Sequence, residues 1–329
     1  MSNPLSIPAS TAPSARVLTL PSQTTDIAGF YTGVMALREY AALSAQPILA
    51  PAGLLQDQPT SEEEYAQPVP PLSLGKIVEF KDGDRPGARS PQGNILKGKV
   101  TKRGIEPLRL KEGDRLATRV NWVASNTKAR GRAERLMADR VGTAAIEAGE
   151  SATQLSFDGV AFFNAQHLQN PQDANSPKQP NRLQLQLTPS NLYQAKTTMR
   201  KWKAENGDPI YQGVPLDLIL MVPPALEEAA DKALKRSNVE EGGAALENVA
   251  QGIARKFVNP YLTDDDAWYL FVTNLGVPPL MRIVFREMMR RDKGPDSELY
   301  RDTSEIEIFS DEWTDYRLTD WRTGLKSKP

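Results

Sequence analysis

Proline is concentrated at the start of the chain, and this limits what the first part can fold into. Ten of the 26 prolines lie among the first 71 of the 329 residues. Proline fixes φ and removes a backbone donor, so this segment is expected to be mostly extended or irregular. One helix is predicted after Asp26, which can cap a run with apolar residues three and four positions apart: Ile27, Phe30, Val34, Leu37 and Leu43. We interpret residues 1–70 as an N-terminal arm that lies on another surface, because the pattern for a separate core is missing.

The composition excludes several kinds of protein. Cysteine is absent, which rules out disulfides, thiolate catalysis and cysteine-ligated zinc. The 40 Lys and Arg residues and 41 Asp and Glu residues nearly cancel, and a net charge of −1 argues against nucleic-acid binding by bulk charge. No stretch approaches the ~20 consecutive apolar residues that span a bilayer, so no membrane partner is expected. This length suggests about two domains, or one core with large excursions.

Residues 71–121 are predicted to form an extended hairpin loop with flanking strands. Short alternating runs at 76–80 and 99–102 enclose a stretch from Lys81 to Gly98 that is rich in Gly, Pro, Asp, Arg and Ser. Both faces of this hairpin are polar, and an isolated two-stranded ribbon is marginally stable in water. We therefore expect a neighbouring subunit to cover it.

The clearest helix is predicted over residues 122–148. Apolar residues follow one face, Ser125 or Asn126 can cap its start, and Gly149 can end it. A helix of ~27 residues is ~40 Å long, which makes it a candidate backbone for a whole domain.

The second half of the chain mixes helices with apolar strands. Thr188 is predicted to cap a helix, and the run from Leu216 to Val222 reads as a strand buried on both sides. A strand pair is predicted at 254–258 and 268–273, and two further strands at 304–309 and 313–321.

Motifs for catalysis are missing. The sequence has no P-loop, dinucleotide-binding glycine motif, nucleophile elbow or metalloprotease helix. The best metal candidates are His167 with Asp173 and the run Asp264-Asp265-Asp266, but hydrogen bonding within a loop is the preferred interpretation of both. We predict no catalytic, cofactor-binding or metal-binding residues, and the chain is not expected to be an enzyme.

Four passages between residues 157 and 273 occur in an order that resembles one protein family. They are Asp158-Gly159-Val160-Ala161-Phe162-Phe163 followed by His167; Leu187, Asn191, Leu192, Ala195 and Met199 followed by Asn206-Gly207-Asp208-Pro209; Pro215, Leu218, Val222-Pro223-Pro224, Leu226-Glu227 and Ala230; and Asn259-Pro260-Tyr261-Leu262-Thr263-Asp264 followed by Ala267-Trp268-Tyr269-Leu270. Together they resemble the major head (capsid) subunit of Mu-like tailed phages.

This resemblance implies an α+β chain with the tailed-phage and herpesvirus major-capsid fold. The implied parts are the N-terminal arm (1–70), the extended hairpin loop (71–121), a peripheral domain (122–179) with a spine helix (122–148), an axial domain (180–275) and return strands of the peripheral domain (276–329). The elements interpreted from the sequence occur in the same order, and this agreement across levels supports the resemblance.

The function implied by the resemblance is that of a major capsid protein. Copies would self-assemble as hexamers and pentamers into an icosahedral head shell that encloses double-stranded DNA and contacts it non-specifically. Portal, scaffold or decoration proteins are further expected partners, no cofactor is expected, and the expected place is the virion capsid, assembled in the cytoplasm of a bacterial host.

Charged residues are the candidates for contacts between copies. They are Lys81, Asp84, Arg85, Arg89, Lys97, Lys99, Arg130, Arg135, Lys201, Lys203, Arg286 and Arg290. We expect the hairpin tip and the arm to supply much of the assembly energy, so that deletion of 82–97 leaves a folded subunit that does not assemble. Charge reversal at Lys201 and Lys203 is expected to impair hexamers more than folding.

Other interpretations stay open at this stage. A non-viral, encapsulin-like compartment shell would share the fold, a metal- or phosphate-dependent hydrolase would use His167 and Asp264–Asp266, and a non-specific DNA-binding protein would need a basic face. The basic cluster that includes Arg286, Arg290 and Lys293 can touch phosphate, although pairing with acids such as Glu305 and Glu307 is preferred.

Overall fold

The computed structural model describes residues 26–69, 94–115, 119–211, 215–241 and 244–329. In chain order the helices are α1 (Ile27–Ser44), α2 (Val120–Arg135), α3 (Met137–Glu147), α4 (Pro189–Arg200), α5 (Glu227–Lys235) and α6 (Glu298–Thr303). The strands are β1 (Leu55–Pro59), β2 (Glu64–Val69), β3 (Asn94–Lys99), β4 (Thr101–Lys111), β5 (His167–Leu168), β6 (Lys178–Gln179), β7 (Arg182–Leu183), β8 (Leu218–Val222), β9 (Asn238–Glu241), β10 (Ala244–Glu247), β11 (Arg255–Val258), β12 (Trp268–Val272), β13 (Leu280–Arg290), β14 (Glu305–Leu318) and β15 (Gly324–Ser327). None of the helices in these ranges is long and apolar enough to cross a membrane.

The described residues form two compact units. The first unit contains residues 26–45, 105–115, 119–134 and 291–309; the second contains 46–69, 94–104, 135–211, 215–241, 244–290 and 310–329. The division falls within β4 and within β14, so both strands contribute residues to each unit.

The first unit is built around α1. The Asp26 side chain accepts hydrogen bonds from the backbone N–H groups of Ala28 and Gly29, which confirms the predicted helix cap. The apolar stripe of the helix packs into a small core of Phe30, Val34, Leu37, Leu110, Val123, Ile306 and Ile308. A side chain at Gly131 would overlap the carbonyl of Arg38, so glycine permits this close approach of α2 to α1.

A buried arginine ties the segments of the first unit together. The Arg38 guanidinium is fully buried, and it pairs with Glu134 on α2 and with Asp292 at 2.8 Å. Burial alone would lower the pKa of Arg38, but the two carboxylates raise it above its usual value. The arginine therefore stays charged, and both acids are neutralised where water is excluded.

The second unit is centred on a five-stranded sheet with the order β11-β8-β12-β15-β7. Every residue of β8 and β12 is buried, which confirms the predicted strand over 216–222. Helices α4 and α5 add Leu192, Ala195, Met199, Ala230 and Ala233 to the core, and Thr188 caps α4 as predicted. The predicted pairing of 254–258 with 268–273 is wrong, because β8 lies between β11 and β12 and pairs with both.

A four-stranded sheet has the order β1-β13-β14-β4. Strand β1 runs parallel to β13, and Leu49 and Leu54 are buried in the core of the second unit. Residues 46–69 therefore differ from the coreless arm expected over 1–70. The reason is that the strand partner and the apolar neighbours of this segment come from distant parts of the sequence, which a local pattern does not reveal.

The predicted helix over 122–148 is interrupted. Helix α2 begins at Val120, so Ser125 and Asn126 lie inside it and are not caps. The backbone leaves helical geometry at Leu136, where φ is −96° and ψ is 7°, and α3 then continues to Glu147. The apolar pattern is continuous across Leu136, which is why the sequence alone predicts one helix. The two strands predicted at 304–309 and 313–321 are joined in β14, through the polar residues Ser310, Asp311 and Glu312.

Candidate assembly surfaces

One face of the β2–β3 pair, which we call the ribbon, is anchored to the second unit. The strands pair antiparallel from Glu64 opposite Lys99 to Val69 opposite Asn94. The Tyr65 hydroxyl donates to Asp315 Oδ2 at 2.7 Å, and burial followed by the charge of Asp315 raises the pKa of Tyr65. Leu96 packs on Val277. This inner face needs no further partner.

The opposite, outer face of the ribbon is uncovered among the described residues. Its exposed side chains are Glu64, Ala66, Pro68, Ile95, Lys97 and Lys99. Ile95 is 53% exposed, and cross-strand pairing places it beside Pro68. Glu64 and Lys99 pair at 3.6 Å at one end. An apolar patch with a charged rim is the arrangement found in protein–protein interfaces.

Strand β14 carries acids that neutralise basic residues of its neighbours. In the second unit Asp311 Oδ2 lies 2.9 Å from Lys102 Nζ, and its Oδ1 lies 3.7 Å from Arg286. Arg282 of β13 pairs with Glu312 at 2.7 Å and with Asp57 at 2.9 Å. These pairs occupy much of the positive charge of this sheet inside the subunit.

The same arrangement occurs in the first unit. Glu307 accepts from Arg109 at 2.9 Å and pairs with Lys293 at 3.1 Å. The ion pairs with these two basic side chains lower the pKa of Glu307. The preferred interpretation of the basic cluster, pairing with acids such as Glu307, is thus confirmed for Lys293.

The candidate contact residues fall into different surroundings. Lys97 and Lys99 lie on the outer face of the ribbon, and Arg135, Lys201, Lys203 and Arg290 are also exposed. Arg286 is half-buried and lies over the ring of Trp313. Lys81, Asp84, Arg85 and Arg89 lie outside the described residues.

Arg130 is the candidate that the structure places inside the subunit. Its side chain is buried, donates to the carbonyls of Glu106 and Ile105 and lies 3.5 Å from Glu134. Because its donors are directed at groups of its own unit, we do not retain it as a contact between copies. The even spacing of arginines along α2 gave no sign of this difference.

Lys201 and Lys203 flank a buried tryptophan. Trp202 Nε1 donates to the carbonyl of Pro180 at 3.1 Å. The backbone of Lys203 exchanges two hydrogen bonds with the Gln179 side chain, at 2.6 and 2.9 Å. These bonds fix the backbone while both lysine side chains remain exposed.

The two metal candidates have structural roles. The His167 ring is fully buried, with Nδ1 2.6 Å from Asp158 Oδ2, Nε2 3.0 Å from the carbonyl oxygen of Phe162, and its face stacked on Trp321. Asp264 accepts from Lys328 Nζ at 2.8 Å and from the N–H of Asp266. No group of three His, Asp or Glu residues in the described ranges could hold a metal ion.

Sequence reasoning missed the part of the ribbon before residue 71. Tyr65, Ala66 and Pro68 belong to it, but they fell within the expected arm. The alternation of Tyr65 with exposed neighbours was the available signal. It is short, and the prolines around it favoured an irregular interpretation.

Solved structures with a similar fold come from phage-like particles. The capsid protein of the cyanophage P-SCSP1u is 9% identical, with 84% of this chain and 86% of that chain covered and a TM-score of 0.52. The capsid protein of a native GTA particle is 9% identical, with coverages of 85% and 89% and a TM-score of 0.51. A procapsid chain of bacteriophage JBD30 is 14% identical, with coverages of 92% and 75% and a TM-score of 0.47.

The first two matches show the fold, which is that of tailed-phage major capsid proteins, as the resemblance implied. The narrower resemblance to Mu-like phages stays a prediction. No curated protein matches the chain. Residues 117–327, well over half of the chain, match the model of a family described as phage capsid protein. The chain therefore belongs to the phage capsid protein family.

Proposed function

We propose that this phage capsid protein is the major subunit of a tailed-phage head, in which hexamers and pentamers of the chain form an icosahedral shell around double-stranded DNA. The observation that carries the proposal is the match of residues 117–327 to the phage capsid protein family. A shell-forming role follows from membership of that family, and the finer statement adds the symmetry and the contents of the shell.

The ribbon supports this proposal from the geometry. Its inner face is anchored by Tyr65 and Leu96, whereas the patch around Ile95 is left to solvent. A second copy that covers the patch would remove apolar surface from water, at roughly 25 cal/mol per Å². Each contact of this kind is modest, but closed symmetric packing repeats it for every subunit.

The parts of the chain are proposed to keep the places that the resemblance implies. Residues 122–179 and 276–329 would form the peripheral domain and 180–275 the axial domain, with 71–121 as the extended hairpin loop. The arm would be shorter than 1–70, because residues 46–69 belong to the second unit. Deletion of 82–97 would also cut into β3, so the sharper deletion is 82–93, which keeps the described pairing of β2 with β3.

Further partners and the place of assembly belong to the same proposal. Portal, scaffold or decoration proteins would contact the shell, the packaged DNA would be touched non-specifically, and assembly would take place in the cytoplasm of a bacterial host. The role is structural and not catalytic. The buried, doubly bonded ring of His167 speaks against the hydrolase alternative, which needed that side chain as a free ligand.

The test is electron microscopy of the purified full-length protein in negative stain, with nuclease-treated particles from producing cells assayed for protected DNA. We expect closed shells, and protected double-stranded DNA in particles from a phage-producing host. Shells that enclose protein cargo and no DNA would favour the encapsulin-like alternative. Single chains at every concentration would contradict both.

A further inference from the structure

Two opposite edges of the five-stranded sheet in the second unit carry charges of opposite sign. The sheet begins with β11 at one edge and ends with β7 at the other. Near the first edge stands the β9–β10 hairpin, which pairs from Asn238 opposite Glu247 to Glu241 opposite Ala244. Positions 238–247 include Glu240, Glu241 and Glu247 but no lysine or arginine, so the hairpin is acidic.

Hydrogen bonds fix the foot of this acidic hairpin at the β11 edge. The N–H of Asn248 donates to the carbonyl of Ser237 at 2.8 Å, and the N–H of Gly252 donates to Leu234 at 3.0 Å. These bonds join the hairpin to the end of α5. Helix α5 in turn lies against β11, because Lys256 Nζ is 2.8 Å from Glu227 and 2.9 Å from Asp231.

The other edge of the sheet carries a basic cluster at the end of α4. Exposed positive side chains lie on α4, on the turn that follows it and on β6: Arg200, Lys201, Lys203 and Lys178. The hydrogen bonds between Lys203 and Gln179 hold this turn next to β6, which precedes the edge strand β7. Within the described ranges none of the four forms an ion pair, although Lys178 donates to Gln166. Burial and the neighbouring charge of Arg200 lower the pKa of Lys196, as expected where positive charge is not neutralised.

We propose that the acidic hairpin of one copy binds the basic cluster of the next copy, head to tail, as the contact that closes a ring of subunits. This inference rests on the proposed shell function and names the surfaces that meet. A rotationally symmetric ring needs two different surfaces on different sides of one subunit, and the opposite edges of the sheet supply them. Unlike charges at the two surfaces favour this pairing and disfavour contacts between identical edges.

Each edge also offers an apolar side chain to the contact. Val249, directly after the hairpin, is 57% exposed, and Tyr193, two turns before Arg200 on α4, is 46% exposed. A tyrosine at the centre and charges at the rim are typical of such interfaces.

A charge swap tests the pairing in the full-length chain. The variants are Lys201→Glu with Lys203→Glu, Glu240→Lys with Glu241→Lys, and the combination of all four. We expect each reversal to lower the yield of rings and shells about tenfold or more, and the combination to restore most of it. Sedimentation velocity and electron microscopy measure the yield. The control is Asp265→Lys with Asp266→Lys, which reverses two exposed acids of the same unit and should leave assembly unchanged.

A crosslinking measurement keeps the test independent of how the reversed variants fold. Because the chain has no cysteine, Glu241→Cys combined with Lys203→Cys introduces the only two thiols. A bifunctional maleimide should then join the copies of assembled shells into a covalent ladder.

Four outcomes separate the inference from the function on which it rests. Restored assembly in the combined variant, or a ladder, supports the charge pairing. Unchanged assembly after either reversal, or shells without a ladder, overturns the pairing and leaves the shell function intact. Parent protein that forms no shells would overturn the shell function itself.

Discussion

The five-stranded sheet and the ribbon lie in the same unit, but they differ in where their stabilising contacts come from. Strands β8 and β12 are buried at every residue by helices and strands of the same chain. The ribbon has one anchored face and one face with Ile95 in solvent. The sheet is therefore complete within the subunit, whereas the ribbon gains its second set of contacts from another copy. Substitutions in the two regions should affect different measurements, folding in the first and assembly in the second.

The largest loss of subunit stability is expected in the sheet. Phe271 of β12 is fully buried and lies against Phe163, Tyr269 and Gly324. Phe271→Ala should lower the free energy of unfolding by about 3–5 kcal/mol, since it leaves a cavity in a closely packed core. Urea unfolding of the unassembled chain measures this. Leu43→Ala is the control, because Leu43 is 76% exposed, and equal losses for the two variants would contradict the comparison.

An intermediate effect is expected at the anchor of the ribbon. Tyr65→Phe removes the hydrogen bond to Asp315, whereas Arg317 still pairs with that carboxylate at 2.9 Å. Unfolding should become easier by about 1–2 kcal/mol, and the amides of β3 should exchange faster with deuterium. Tyr193→Phe serves as the matched control at an exposed tyrosine. Unchanged exchange in β3 would mean that the inner face is not held by Tyr65.

A smaller, pH-dependent effect is expected beside the edge strand β15. Burial opposes ionisation of Glu150, but Lys326 at 2.7 Å and Arg182 at 3.2 Å lower its pKa below the ordinary 4.5. The stabilisation is present above pH 4.5 and is lost as the pH falls through the lowered pKa. Glu150→Gln should remove this part of the acid dependence, a difference of under about 1 kcal/mol, because the pair is partly exposed. Urea midpoints between pH 6 and pH 2 for the two chains measure it, and identical pH profiles would show that the ion pairs contribute nothing.

The smallest change in folding is expected on the outer face of the ribbon, together with a large change in assembly. Ile95→Asp should alter the free energy of unfolding by no more than about 0.5 kcal/mol, because the side chain is already exposed. Shell formation should be lost, since a charge would enter an apolar contact without a partner. Glu62→Asp, at an exposed site before β2, should leave both measurements unchanged.

The elements that could be predicted from the sequence are those fixed by neighbouring residues. Asp26 and Thr188 cap helices because a cap needs only the next three residues, and β8 is recognisable because a strand buried on both sides is a continuous apolar run. The order of the four passages between 157 and 273 carried the family, which no single passage would have done.

The elements that could not be predicted depend on distant partners. Strand β1 is held by β13, and the burial of Arg38 requires Glu134 and Asp292, which are far apart in the sequence. The interior of β14 is polar at Ser310, Asp311 and Glu312, which reads as a loop until Lys102 and Arg282 neutralise it. The break at Leu136 leaves the apolar pattern intact and so gives no local signal.

The candidate surfaces divide in the same way. The exposed lysines at 97, 99, 201 and 203 were recognisable because charge on a turn or a ribbon is solvated wherever the chain goes. The burial of Arg130 and the anchoring role of Tyr65 were not, because each depends on a group contributed by another strand.

Sedimentation velocity of the parent chain and of Ile95→Asp, over a wide range of protein concentration, tests most directly whether copies of this chain complete one another. We predict that the parent passes from single chains to rings and closed shells as concentration rises. The variant should remain a folded single chain with the same urea midpoint. Parent protein that sediments as single chains throughout, or a variant that assembles as the parent does, would contradict the account.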